Sequence, residues 1–178
     1  MELFLREINC SDKKELLDMV DEIRKDILED KFEGFRNIKN LTLSNYNDFL
    51  DELIKNKNMK TFKPNLVDQT TYILVDEKGR IYGGTNIRHK LNERLLIHGG
   101  NIGYLIRPSE RKKHFGTLML NLALEKCKLL GLIKVLSTCR EDNIGSMKVI
   151  ENNGGVYEKS YINPNDSKAY KRYWINIK

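Results

Sequence analysis

The sequence predicts an α/β fold, a mixed and mostly antiparallel sheet flanked by helices. Three observations predict it. Apolar residues recur with period two in some stretches and with helical period in others, in the order strand, two helices, three strands, helix, strand, helix, two strands. Two of these strands are joined by a short turn, Glu77-Lys78-Gly79-Arg80, while later ones are joined through helical segments, and hairpins mixed with helical crossovers build a sheet with helices on its faces. The chain has 178 residues, 40% hydrophobic and 31% charged, which is enough for one domain with a sizeable core.

The elements follow in order. Glu2 to Ile8 alternates apolar and polar residues and is short enough for a strand. Asp12 with Glu15 three residues on has capping-box spacing, and Leu16, Val20, Ile23 and Ile27 follow at helical spacing, so residues 12–28 read as an amphipathic helix. Residues 31–43, with Gly34, read as irregular. Ser44 is placed to cap a second helix whose Tyr46, Phe49, Leu50, Leu53 and Ile54 make an apolar stripe. The polar run 56–68, with Pro64, reads as a loop.

Residues 70–76 and 81–89 are the hairpin strands, and Gly83-Gly84 predicts a bulge or a close backbone approach. A short segment from Leu91 to Leu95 leads to a third strand over residues 100–107. Residues 115–130 form a helix that buries Met119, Leu122, Ala123, Cys127 and Leu130 and stops at Gly131. Residues 132–139 are a strand. Asp142 or Asn143 starts a helix with Ile144, Met147 and Ile150 inward, ended by Gly154-Gly155. Strands over 156–162 and 169–177, joined by a turn with Pro164, close the fold, and with no repeat or low-complexity linker the chain 1–178 reads as one domain.

Composition narrows the function. No apolar run approaches the roughly 20 residues of a membrane helix, and the start lacks a basic region followed by an apolar core, so neither membrane span nor signal peptide is expected. Cys10, Cys127 and Cys139 are odd in number and widely spaced, which fits neither a disulfide framework nor a zinc pattern; a reducing cytoplasm and no metal are expected. The net charge of +6 raises nucleic-acid binding, but the basic residues are spread along the chain and alternate with acidic ones, so they read as solvated surface and no nucleic-acid partner is expected. The glycine-rich signatures of P-loop and dinucleotide-binding proteins are absent.

One stretch departs from this even spread. In GYLIRPSERKKHFGT, residues 103–117, an apolar strand ends at Arg107-Pro108, and Arg111, Lys112 and Lys113 then run into Gly116-Thr117 and a helix. A helix N-terminus carries partial positive charge and unpaired N–H groups, so three cations there are locally unfavourable. A multiply charged anion such as a pyrophosphate would balance them.

Arg111, His114 and Gly116 stand at the spacing Arg/Gln-x-x-Gly-x-Gly/Ala, and Asn143 with Ser146 makes Asn-x-x-Ser after the next strand. In this order the chain, from about Thr70 to Tyr161, resembles the GNAT superfamily of acyl-CoA-dependent N-acetyltransferases. The resemblance implies acetyl-CoA as acyl donor, held in a V-shaped cleft where the central strands splay. It implies that the backbone of Ile106 and Arg107 pairs with the pantetheine arm and that Leu105 or Ile106 donates an N–H to the thioester carbonyl. The N–H groups of Lys112, Lys113, His114, Phe115, Gly116 and Thr117, beside Arg111, would cradle the pyrophosphate, with Asn143 and Ser146 completing the site.

Residues 70–178 would be the core, and 1–69 would wall the acceptor side, where Asp48, Asp51 and Glu52 either attract a cationic amine or form a solvated face. The acceptor would be a primary amine of a small molecule or peptide, and a homodimer is open. The competing reading is a CoA-binding sensor or scaffold of the same fold.

The departures bear on catalysis. His114 replaces a glycine; it adds bulk, brings a pH-dependent charge, or faces solvent while its backbone serves. The proton-donor tyrosine of many family members falls at Ile150, which leaves Tyr157 as a substitute or as a packing aromatic. Their glutamate falls at Asn101, which is no base. His98 and His89 carry suitable pKa values, and a water chain is the alternative. On a regular strand His98 and Asn101 face opposite sides. Cys139 is either a covalent acetyl carrier or a small buried hydrophobe.

Overall fold

The computed structural model describes residues 2–26, 38–58, 66–164 and 166–177. Most of the expected irregular stretch 31–43 and loop 56–68, and the last two positions of the expected helix 12–28, lie outside the described residues. In chain order the elements are β1 (Leu3–Glu7), α1 (Lys13–Asp26), α2 (Tyr46–Asn56), β2 (Gln69–Asp76), β3 (Ile81–Arg88), α3 (Glu93–Ile97), β4 (Ile102–Ile106), α4 (Phe115–Leu129), β5 (Lys134–Arg140), α5 (Ile144–Asn152), β6 (Val156–Ile162) and β7 (Ala169–Asn176). The α/β fold with antiparallel strands flanked by helices is therefore present. It is built as two sheets, ordered β1-β2-β3-β4 and β5-β7-β6, with antiparallel neighbours throughout.

The period-two pattern of β2 sorts its side chains between two cores. Leu74 joins Ile87, Ile102 and the buried face of α4 (Met119, Leu120, Ala123, Cys127). Ile73 and Val75 face the other way, onto Leu16, Met19, Val20 and Ile23 of α1 and Tyr46 and Phe49 of α2. Each of these buried aliphatic side chains contributes about 1.5–3 kcal/mol. One face of the first sheet thus belongs to α4, the other to α1 and α2.

Several local expectations are corrected. Asp12 does not cap α1. Asn9 caps the preceding turn by accepting the Ser11 N–H, while the Asp12 carboxylate accepts the Asn9 N–H and binds Arg6. Asn45, not Ser44, precedes α2, and its side chain accepts from the Thr42 N–H. Ile54 is exposed because it lies about 80° around α2 from Tyr46 at 100° per residue. Ile144, at the exposed first turn of α5, and Leu130, past the end of α4, also face solvent, and Leu120 is buried instead. The segment after Leu91 contains the short helix α3, capped by Asn92.

The Gly83-Gly84 expectation holds in both its forms. Register passes from Leu74 opposite Gly83 to Val75 opposite Ile81, which leaves Tyr82 as the extra residue. A Cβ on Gly83 would lie 2.5 Å from the Leu105 carbonyl oxygen.

The two sheets meet at Asn101. Its N–H donates to the Leu136 carbonyl at 2.8 Å, and its Oδ1 accepts the Leu136 N–H at 2.9 Å. Toward β3, its carbonyl accepts the Arg88 N–H and its Nδ2 donates to the Arg88 carbonyl. Beyond this clamp no ladder joins β4 to β5 among the described residues. Among the described residues no helix is long and apolar enough to cross a membrane.

Asn101→Ala removes both side-chain bonds and strands the buried Leu136 N–H. Urea unfolding should show a loss of about 2–3 kcal/mol. A loss below about 0.5 kcal/mol, the range of ordinary surface changes, would mean that the sheets are joined by something else.

Candidate active site

Past the Asn101 clamp, β4 and β5 separate, and a cleft of about 940 Å³ opens between β4, the start of α4 and the first turns of α5. Leu105, Ile106, Arg111, Lys112, His114, Phe115, Gly116, Thr117, Asn143 and Ser146 line it, as do Tyr104, Asp26 and Arg140.

The register of β4 decides which backbone groups the cleft can use. The Arg88 N–H donates to the Asn101 carbonyl, and the Arg107 N–H donates to the Tyr82 carbonyl. Hydrogen-bonded and non-hydrogen-bonded pairs alternate along an antiparallel ladder. Residues 101, 103, 105 and 107 therefore turn their backbone groups toward β3, and Tyr104 and Ile106 turn theirs away from it. Between the two candidate donors named from sequence, Ile106 has the cleft-facing N–H and Leu105 does not. Arg107 is corrected in the same way: its N–H is spent on Tyr82, and its carbonyl accepts the Glu110 N–H.

The loop after β4 makes a short turn at Pro108–Glu110 and then places Lys112 and His114 in the left-handed region, at φ 61° and 63°. Alternating hands along a loop turn successive N–H groups to one side, an arrangement that holds anions. His114 thus adopts the backbone conformation for which a glycine is usually chosen. Among the described residues, no acceptor within the protein meets the N–H groups of Lys112 to Thr117. Gly116 serves helix packing as well, since a Cβ there would stand 3.0 Å from Cγ2 of Val149 on α5.

Much of the loop's positive charge is balanced by the chain itself, which corrects the reading in which a bound anion balances all three cations. Arg111 donates to Asp26 at 2.6 Å, and Lys113, which does not line the cleft, donates to Glu110 at 2.9 Å. Arg107 is 4% exposed and binds Glu15 at 2.5 Å and Glu22 at 2.7 Å. Burial pushes the Glu22 carboxyl up, but hydrogen bonds from Ser109 and Arg107 outweigh it and hold Glu22 below its ordinary range. Glu110 behaves likewise: burial raises it, and Arg80 and Lys113 bring it lower.

Asn143 caps α5, its Oδ1 accepting the Ser146 N–H at 3.0 Å, so the Asn-x-x-Ser spacing is that of a helix cap. The Ser146 hydroxyl is then 2.8 Å from the hydroxyl of Tyr104. Burial pushes the Tyr104 phenol well up from its ordinary value, and the bond to Ser146 opposes this.

The catalytic candidates named from sequence stand away from the cleft. His98 caps the end of α3, where its Nδ1 is 2.6 Å from the Tyr161 hydroxyl and its ring meets Tyr170 edge-on. Asn101 is consumed by the clamp. Tyr157 is exposed on β6, its hydroxyl beside Ser160 and its ring against Tyr173. His89 is bonded to Thr70, and burial lowers its pKa, with Asp68 opposing. Cys139 is buried in the α4 core. Sequence reasoning missed Tyr104 and Asp26. Tyr104 had a usable signal, since it is two residues before Ile106 and shares its face; Asp26 looked like one more charge on an exposed helix face.

A family model, the acetyltransferase (GNAT) domain, matches residues 2–156. No curated protein sequence matches. Among solved structures, a spermidine N-acetyltransferase chimera from Vibrio cholerae and hSSAT aligns over 99% of this chain and 96% of its own, with TM-score 0.63 and 18% identity. A GNAT-family acetyltransferase from Streptococcus pneumoniae aligns over 99% and 100%, with TM-score 0.66 and 19% identity. A Vibrio cholerae protein described as a ribosomal-protein-serine acetyltransferase aligns over 99% and 94%, with TM-score 0.67 and 16% identity.

Arg107→Leu leaves Glu15 and Glu22 without their buried partner. Chemical denaturation should show a loss of about 3 kcal/mol, with Arg107→Lys recovering part of it. Stability equal to wild type would mean that the loop is anchored without this pair.

Proposed function

The chain belongs to the acetyltransferase (GNAT) domain family, and on that premise we propose that it transfers an acetyl group from acetyl-CoA directly to a primary amine of a small molecule or peptide. The observation that carries this reading is the cleft itself, lined by Tyr104 and Ile106 of β4 together with Lys112, His114, Phe115, Gly116 and Thr117. The donor set fits a phosphorylated thioester: cations and loop N–H groups at one end, strand edge in the middle, a hydroxyl pair beyond. Spermidine and ribosomal-protein acetyltransferases among the structural neighbours suggest the two acceptor classes to try.

Arg111, Lys112 and the N–H groups through Thr117 would hold the diphosphate. Acetyl-CoA, when bound, supplies an already activated carbonyl. The Ile106 N–H then serves as the fixed donor toward the carbonyl oxygen, where negative charge develops. Tyr104 carries its proton at Oη as any phenol does at neutral pH, and it can pass that proton to the departing sulfur while Ser146 orients the hydroxyl. The acceptor approaches from the α1/α2 face of β4, because Tyr104, Ile106 and α4 occupy the other. Its ammonium loses its proton to water, since His98 is engaged by Tyr161 away from the cleft and Asn101 is no base. A second reading, an acyl-CoA-binding sensor, draws on that same distance of the candidate bases from the cleft.

Calorimetric titration with acetyl-CoA and CoA at two salt concentrations, followed by thiol release with spermidine, other primary amines and peptides, separates these readings. Binding near the micromolar range with amine-dependent thiol release is expected. Binding without release from any acceptor would favour the sensor, and no binding at either salt would sink both. Tyr104→Phe should lower kcat by about 100-fold while the Kd for CoA stays within about twofold. An unchanged kcat would take Tyr104 out of the chemistry.

A further inference from the structure

Glu15, Glu22 and Asp26 are spaced by seven and then four residues, so they share one face of α1. That face meets the loop after β4. Glu15 and Glu22 grip the buried Arg107, and Glu22 also accepts the Ser109 N–H. Asp26 grips Arg111. The two attachments differ in kind. Arg107 stands outside the cleft, whereas Arg111 and Asp26 both line it and are each about half exposed, at 48% and 40%. An exposed single ion pair is weak and exchangeable. A guanidinium binds a phosphate in bidentate fashion, and a diphosphate carries more charge than one carboxylate.

Arg111 also reaches the Ile106 carbonyl at 3.4 Å, which is the cleft-facing group of β4. Both partners of Arg111 therefore border the space that a donor would enter.

We propose that Asp26 is an internal competitor for the acyl donor, holding Arg111 with a carboxylate that the donor's diphosphate displaces. Donor binding then frees the turn of α1 that carries Asp26, while Glu15 and Glu22 keep the preceding turns fixed. Because α1 packs on the face of β4 opposite α4, the exchange links the donor cleft to the acceptor side. This inference rests on the acyl-donor reading of the cleft.

The test uses the full chain and CoA as the probe. Asp26→Asn should bind CoA three- to tenfold more tightly than wild type in low-salt calorimetry, and less so at high salt. In an Arg111→Ala background the same substitution should give no gain. Amide exchange over residues 23–26 should quicken when CoA is added to wild type and be fast already in Asp26→Asn. Asp26→Ser repeats the test should the first variant fold poorly. Affinity equal to or below wild type, or a gain that persists without Arg111, overturns the proposal. Failure of wild type to bind CoA overturns the donor reading itself, an outcome distinct from wild type and variant binding alike.

Discussion

A β-strand presents hydrogen-bonding groups along both edges, and buried backbone groups must find partners. β4 satisfies one edge through its ladder with β3. On the other edge Asn101 supplies its own backbone and side chain to Leu136, and then β4 and β5 part. The cleft exists because that second ladder stops. Gly100 makes the contact possible, at φ 61° and so close to the Leu136 carbonyl that a Cβ would be 2.2 Å away. What lines the cleft then follows from parity: even-numbered residues of β4 offer backbone to it, and odd-numbered residues are spent on β3.

Charge is arranged on the same frame. The loop after β4 must keep several cations near a helix N-terminus, which is unfavourable in isolation. The acidic face of α1 resolves this by pairing Arg107 deep in the fold and Arg111 at the cleft wall. Glu110 does the same inside the loop, between Arg80 and Lys113. A buried arginine such as Arg107 would be costly without its carboxylates, so the loop's shape and the position of α1 depend on each other.

Most of the architecture was legible because it follows local periodicity. The alternation in β2 and the helical spacing in α1 and α4 are local patterns, and they place the cores. The loop motif was legible for the same reason, since its basic residues and the helix behind it are adjacent in sequence. What escaped was long-range. The pairing of Arg111 with Asp26 joins residues 85 positions apart, and nothing near either one announces it. Asn101 was read as the empty place of a base, whereas its role depends on Leu136, 35 positions on. The N-cap of α1 was misplaced because Asp12 also has a cap-like spacing; Asn9 and Arg6, which claim it, settle the matter only in three dimensions.

The Asn-x-x-Ser spacing shows how one local rule reaches the chemistry. Asn143 caps α5, as any asparagine in that place can, and this fixes the first turn against the cleft. Ser146, in that turn, consequently holds its hydroxyl against Tyr104 on β4, across the gap that Asn101 opened. The helix that lacks a tyrosine at Ile150 therefore still places a hydroxyl partner beside a buried phenol supplied by the strand. The parity of β4 puts that phenol two residues from the Ile106 N–H. Tyr104 and Ile106 stand on one strand, so their Cα positions are fixed by the strand's own period, which is more rigid than a pair drawn from separate loops.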